Sequence, residues 1–268
     1  MEDGLGRSVS VPVAPRRLVS LAPSVTDSIV ALGLGDRIVG ISDFCEPPAG
    51  GTAPVRVGGL VNPSLETIRG LGPDLLVAST SGNEPGLAAQ AEALALPLYT
   101  MHAGDVAGVV MEVERLGRAL GEPDRGRRAA EALSGRIDAV AARLGARPRP
   151  RVLFVVWGNP LVVPGRGAFL TDALARAGAA SITADAPGGW PSIDLETAVT
   201  RAPEIILTVP QNRAFLDAVR RNSAWADVPA VRRGALAVVS EAIQQPGPRV
   251  VDGIEEVARV IHPEAFPP

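Results

Sequence analysis

The chain has 268 residues, 46% of them hydrophobic and 21% charged, with a formal net charge of −3. That is globular composition with no basic field to attract nucleic acid. All 26 basic residues are Arg, which excludes a P-loop lysine and Schiff-base chemistry, and the single Cys45 excludes an internal disulfide or a cysteine-based zinc cluster.

The first five residues start acidic and lack an apolar core, so they do not read as a secretory signal as they stand. No run of 18 apolar residues marks a membrane span. From residue 18 onward, short β-like runs alternate with helical stretches. Strands are predicted at 18–21, 36–41, 75–78 and 98–101, and helices at 24–32, 63–70, 86–95 and 105–120. This β-α-β rhythm argues for a mostly parallel sheet flanked by helices.

Residues 124–144 break the rhythm. Apolar Ala129, Leu133, Ile137, Val140 and Leu144 fall at helical spacing, Pro123 suits a helix start, and Arg147-Pro148-Arg149-Pro150 ends it. A second alternating half follows, with strands at 152–156, 205–209 and 235–239 and helices at 168–177, 194–201, 213–221 and 250–261.

The two halves echo each other. Ser64-Leu65-Glu66-Thr67 followed by Pro73-Asp74-Leu75-Leu76-Val77 returns as Asp194-Leu195-Glu196-Thr197 followed by Pro203-Glu204-Ile205-Ile206-Leu207, at a constant offset of 130 residues. Each unit reads as a helix cap, a short helix, a proline break and a buried strand. The expected organisation is an N-terminal α/β lobe over 1–122, a bridging helix over 123–146 and a C-terminal α/β lobe over 147–268.

An ordered series of motifs spans nearly the whole chain: Ser20-Leu21-Ala22-Pro23-Ser24, Leu32-Gly33-Leu34-Gly35-Asp36, Ser42-Asp43-Phe44-Cys45, Val57-Gly58-Gly59, Asn62-Pro63-Ser64-Leu65-Glu66 and Pro73-Asp74-Leu75-Leu76. In this series the sequence resembles the cobalamin/ferric-siderophore class of ABC-importer binding proteins. The resemblance implies two Rossmann-like lobes with mostly parallel sheets, joined by a single long rigid helix. It implies a ligand in the cleft between them, at strand carboxyl ends. It also implies a non-enzymatic monomer outside the cytoplasm that delivers its ligand to a membrane permease.

The residues 42–48 turn, Gly189-Trp190-Pro191 and Pro248-Arg249 resemble the cobalamin branch, and imply a corrinoid ligand. A corrin is flat and apolar on its faces with amide arms at its rim, so aromatic side chains suit its faces and a few polar groups its edge. The implied ligand-binding residues are Phe44, Trp157, Trp190 and Arg249, and Glu241 nearby is expected as a further one by its chemistry, either pairing with Arg249 or accepting from amides of a ligand rim. One acidic residue per lobe, Glu66 and Glu196, is implied to dock on permease arginines. Gly58-Gly59 and Ser79-Thr80 stand where the branch carries further tryptophans, and imply a more open site.

Each candidate has a plainer reading. Trp157 also suits core packing at a strand end, and Trp225 is expected to be structural. His102 reads as a loop histidine or as an axial ligand to a bound macrocycle, and His262 as compensation of a helix dipole. Glu66 and Glu196 also suit a helix first turn by charge alone. Asp43, Cys45 and Glu46 lack a nearby histidine, so no protein-held metal is expected.

Two alternatives stand beside the corrinoid. Haem or a ferric siderophore would use the same fold, but only Arg249, Arg56 and Arg166 offer cations and Tyr99 is the single tyrosine. An intracellular corrinoid carrier or sensor would fit the acidic N-terminus. Catalytic motifs such as Gly-x-Ser-x-Gly and His-Glu-x-x-His are absent from the sequence, so no catalytic residue or cofactor is expected.

Overall fold

A computed structural model describes residues 1–50 and 52–267. The chain divides into two compact α/β units. The first comprises Met1–Ala103, Ala107–Ser134 and Gln245–Arg249; the second comprises Gly104–Val106, Gly135–Gln244 and Val250–Pro268.

The first unit runs β1 (Leu18–Ser20), α1 (Pro23–Ala31), β2 (Ile38–Ile41), β3 (Val55–Arg56), α2 (Leu65–Gly70), β4 (Leu75–Ser79), α3 (Leu87–Ala93), β5 (Leu98–Met101) and most of α4 (Val106–Ala119). Its five strands pair in the order β3-β2-β1-β4-β5, and every pair is parallel. Both faces of such a sheet are covered by helices, so β1 and β4 are buried throughout, as their unbroken apolar runs require. One face packs Val19, Leu21, Leu76 and Ala78 against Ile68, Leu87 and Ala91. The strand expected over 36–41 is shorter, because Gly35–Arg37 closes a 3-10 turn. Arg37 in that turn is buried and reaches the carbonyls of Pro15 and Leu120, with Glu122 as its ion-pair partner.

Helix α5 (Pro123–Leu144) is the long element expected from the spacing. Ala130, Leu133, Ile137, Val140 and Leu144 are its buried stripe, alternating three and four residues apart. The boundary between the units falls within it, at Ser134/Gly135.

The second unit contains β6 (Arg151–Val155), β7 (Trp157–Gly158), β8 (Leu161–Val162), α6 (Phe169–Arg176), β9 (Ala180–Ser181), β10 (Ser192–Ile193), α7 (Leu195–Thr200), β11 (Ile205–Thr208), α8 (Arg213–Arg221), α9 (Pro229–Arg232), β12 (Leu236–Val238) and α10 (Val250–Ile261). Four parallel strands pair as β12-β11-β6-β9. A separate antiparallel sheet orders as β10-β8-β7. Leu153, Val155, Ile206, Leu216, Val219 and Trp225 share one core. Arg136, from the second half of α5, bridges Asp252 at 2.7 Å and Glu255 at 2.9 Å on α10. That guanidinium holds the Glu255 carboxyl below the usual carboxylate range.

Candidate functional site

Parallel sheets of this kind open a crevice where neighbouring connections leave one strand in opposite directions. In the first unit that strand is β1, flanked by β2 and β4; in the second it is β6, flanked by β9 and β11. The carboxyl ends of these strands are therefore the candidate ligand surface on each unit.

On the first unit, three loops at this end are tied together by one side chain. Asn83 donates through Nδ2 to the carbonyls of Leu21 at 3.0 Å and Leu60 at 2.8 Å, and its Oδ1 accepts from the Ser79 N–H at 2.9 Å. It thus links the loops that follow β1, β3 and β4. The turn after β2 is held by Arg56, whose Nη1 donates to the carbonyls of Ser42 (2.9 Å), Asp43 (3.1 Å) and Cys45 (2.7 Å). Arg56 Nη1 is thereby engaged by its own fold.

Within that turn Cys45 points inward and Phe44 outward. Cys45 is buried, and burial pushes its thiol pKa up, which keeps it protonated and inert. The Phe44 side chain is 66% exposed. Gly59 lies beside it; a Cβ there would stand 4.0 Å from the Phe44 ring and 2.7 Å from Asn62 Oδ1. A bulky residue at 59 would therefore displace the Asn62 side chain, which accounts for a small one.

Residues 245–249 pack with this unit. Gly247 approaches the Ser24 backbone so closely that a Cβ would meet Ser24 Cα at 3.0 Å. Arg249 then extends to Glu46, with Nη1 3.8 Å from Oε2. His102 follows β5, is exposed, and shares a 2.8 Å hydrogen bond between Nδ1 and Thr80 Oγ1.

On the second unit Trp157 lies two residues beyond the end of β6, at the crevice position, and is 55% exposed. Its Nε1–H donates to the Asn159 carbonyl at 2.9 Å, so its polar edge is satisfied within its own hairpin. Strand register aligns Trp157 with Val162 and Val162 with Ser192. Trp190 precedes Ser192 by two residues and is 52% exposed. Its loop is fixed by backbone bonds, with Gly165 N–H donating to Gly189 O at 2.8 Å and Val163 N–H to Pro191 O at 3.1 Å. Glu241 is exposed at the start of a 3-10 turn after β12, anchored by the Ser240 N–H donating to Glu256 Oε2 at 2.9 Å.

Trp225 behaves differently. It is 3% exposed and meets Phe215 edge to face at 6.2 Å. Its role is core packing, as expected from its position. Among the described residues, no three His, Cys, Asp or Glu side chains converge as a metal-binding set, and no helix is long and apolar enough to cross a membrane.

Glu66 and Glu196 occupy matching positions in the first turns of α2 and α7. Ser64 Oγ accepts from the Thr67 N–H, and Asp194 Oδ1 accepts from the Thr197 N–H. Both glutamates are exposed, and Ile68 and Ala198 begin the buried side of each helix. Hydrogen bonds from Thr197 keep the Asp194 carboxyl below its ordinary range, so it is ionised at neutral pH.

Reading the sequence does not reveal Asn83, the Arg56 clamp or the Glu46–Arg249 pair. Each is a long-range contact of a loop residue, and no periodicity or spacing announces it.

Comparison with known proteins places these features in context. Residues 18–242 match the family model described as periplasmic binding protein. A vitamin B12-binding protein of Vibrio cholerae is 24% identical over 256 residues, covering 92% of this chain and 89% of that protein. An uncharacterized ABC transporter substrate-binding lipoprotein of Bacillus subtilis, YvrC, is 26% identical over 99% of this chain and 86% of its own length. Among solved structures, the periplasmic heme-binding protein RhuT from Roseiflexus sp. RS-1 superposes with a TM-score of 0.80 at 25% identity, covering 93% of this chain and 99% of that one.

Proposed function

The chain belongs to the periplasmic binding protein family, and from that premise we propose that it captures a corrinoid and hands it to an ABC-importer permease. One observation carries the ligand assignment. The chain has only three Trp, one Tyr and five Phe. Among the described residues, the Phe and Trp side chains left exposed are Phe44, Trp157 and Trp190; Phe44 and Trp157 follow the carboxyl ends of β2 and β6, and Trp190 stands in the loop that enters β10. Exposing scarce rings in fixed loops has a cost in water that a flat apolar ligand recovers.

Phe44, Trp157 and Trp190 are the proposed contacts to ring faces, and Glu241 and Arg249 the proposed contacts to the polar rim. Glu66 and Glu196 are the proposed permease contacts, supported by their matched exposure and matched caps. The protein works as a monomer outside the cytoplasm in this reading, with no catalytic step.

The test is a titration with cyanocobalamin, by calorimetry and by quenching of tryptophan fluorescence. One-to-one binding that weakens in Trp190→Ala supports the assignment; absence of binding by the wild-type protein rejects it. Haem is the second reading, favoured by exposed His102 at the end of β5 and by the haem-binding relative. A Soret shift on adding haem, lost in His102→Ala, would decide for it.

A further inference from the structure

Glu46 belongs to no role assigned so far, and its position bears on which macrocycles the first unit accepts. This inference rests on the corrinoid reading above and refines it. The turn that presents Phe44 carries two carboxylates, Asp43 and Glu46, both exposed. Two arginines face the same turn. Arg56 is held in place by the turn, since its Nη1 donates to three backbone carbonyls. Arg249 is drawn to Glu46, 3.8 Å away.

The two carboxylates and two guanidinium groups around Phe44 balance in formal charge, and Arg249, the guanidinium not tied to the turn's own carbonyls, already faces a carboxylate. In water such an exposed pair is weak, because solvent screens both charges. A ligand laid across Phe44 displaces that water, and the same charges then act at lower effective dielectric. A rim carboxylate would have to compete with Glu46 for Arg249 while facing Asp43. A rim amide meets no such opposition, and can donate to the carboxylates while its carbonyl accepts from Arg249.

We infer that Glu46 is a specificity-determining residue, which occupies Arg249 and selects amide-rimmed, uncharged macrocycles over carboxylate-rimmed ones. A negative element that rejects the wrong ligand is as effective as an attraction to the right one.

The experiment compares two corrinoids that differ at the rim and both lack the nucleotide arm: dicyanocobinamide, with amides, and dicyanocobyrinic acid, with carboxylates. Dissociation constants are measured for the wild-type protein and for Glu46→Gln. The readout is the preference ratio, so a general loss of fold or affinity cancels. The wild-type protein is expected to prefer the amide corrinoid, and Glu46→Gln to shrink that preference about tenfold, one unit of logarithmic affinity. Raising the salt concentration should bring the wild-type and Glu46→Gln preferences closer together, because the difference between them is the charge at Glu46. A ratio that Glu46→Gln leaves within twofold, or a wild-type preference for the carboxylate corrinoid, overturns the role of Glu46 while the corrinoid reading stands. Binding of neither corrinoid by wild-type protein removes the corrinoid reading and this inference together.

Discussion

Replacing Arg56 by Met tests whether the Phe44 turn is preorganised. The substitution keeps the apolar stem and deletes the guanidinium that bonds three carbonyls. A hydrogen bond from a charged donor contributes about 1.5–3 kcal/mol. The three bonds share one nitrogen and water can replace them at this exposed turn, so the expected loss is about 2 kcal/mol in total. For a chain of this size that lowers Tm by about 4–8 °C. Ligand affinity should fall as well, because Phe44 would spend less time in its presenting position. Covering an aromatic side chain is worth about 1.5–3 kcal/mol, so Phe44→Ala should weaken binding roughly tenfold or more. The decisive assay is a double-mutant cycle read by cyanocobalamin titration alongside thermal melts. If Arg56 acts through Phe44, Arg56→Met should add less than about twofold in the Phe44→Ala background. Full additivity of the two losses would refute the positioning argument and make Arg56 a direct ligand contact. The melting shift is independent of which ligand binds.

Four other substitutions separate fold from function. Trp225→Ala should cost about 3–5 kcal/mol by chemical denaturation, since the ring is buried against Phe215, while Trp190→Ala should leave stability within about 0.5 kcal/mol. Gly253→Ala should destabilise by about 2–3 kcal/mol in the same assay, because a Cβ there would stand 2.4 Å from the Ile243 backbone nitrogen. Burial raises the pKa of the Glu112 carboxyl above its ordinary value of 4.5 in the folded chain, against the opposing pull of Arg115. Protonation is thus favoured by folding, so its contribution to stability is full below pH about 4.5 and declines as pH rises through the folded pKa. Glu112→Gln should remove that decline from urea melts run across the acid range, and an unchanged pH profile would show that Glu112 is not its source.

The sequence made the repeating architecture legible where local chemistry and long-range packing agree. The capped helices α2 and α7 and the strands β4 and β11 appear where the 130-residue echo puts them, because each is set by a cap, a proline and a short apolar run. The long helix is likewise legible from its stripe and its flanking prolines. The antiparallel β10-β8-β7 sheet is not, since its strands have two residues each and show no period. Family resemblance pointed to Phe44, Trp157 and Trp190, which the fold leaves exposed at strand ends. It could not show what holds them. Arg56 and Asn83 act on carbonyls of loops distant in sequence, and a carbonyl carries no residue-type signal.

The twin helix caps have an electrical consequence. The first-unit helix is capped by a hydroxyl, Ser64, and the second-unit helix by an ionised carboxylate, Asp194. Beside Glu66 and Glu196 this makes the first turn of one proposed docking element singly negative and that of its counterpart doubly so. A receptor built with two equal halves would therefore feel a polarity in an outwardly repeated cargo carrier. Such a mismatch ranks the two ways of landing, and Asp194→Ser is the change that would make them equivalent.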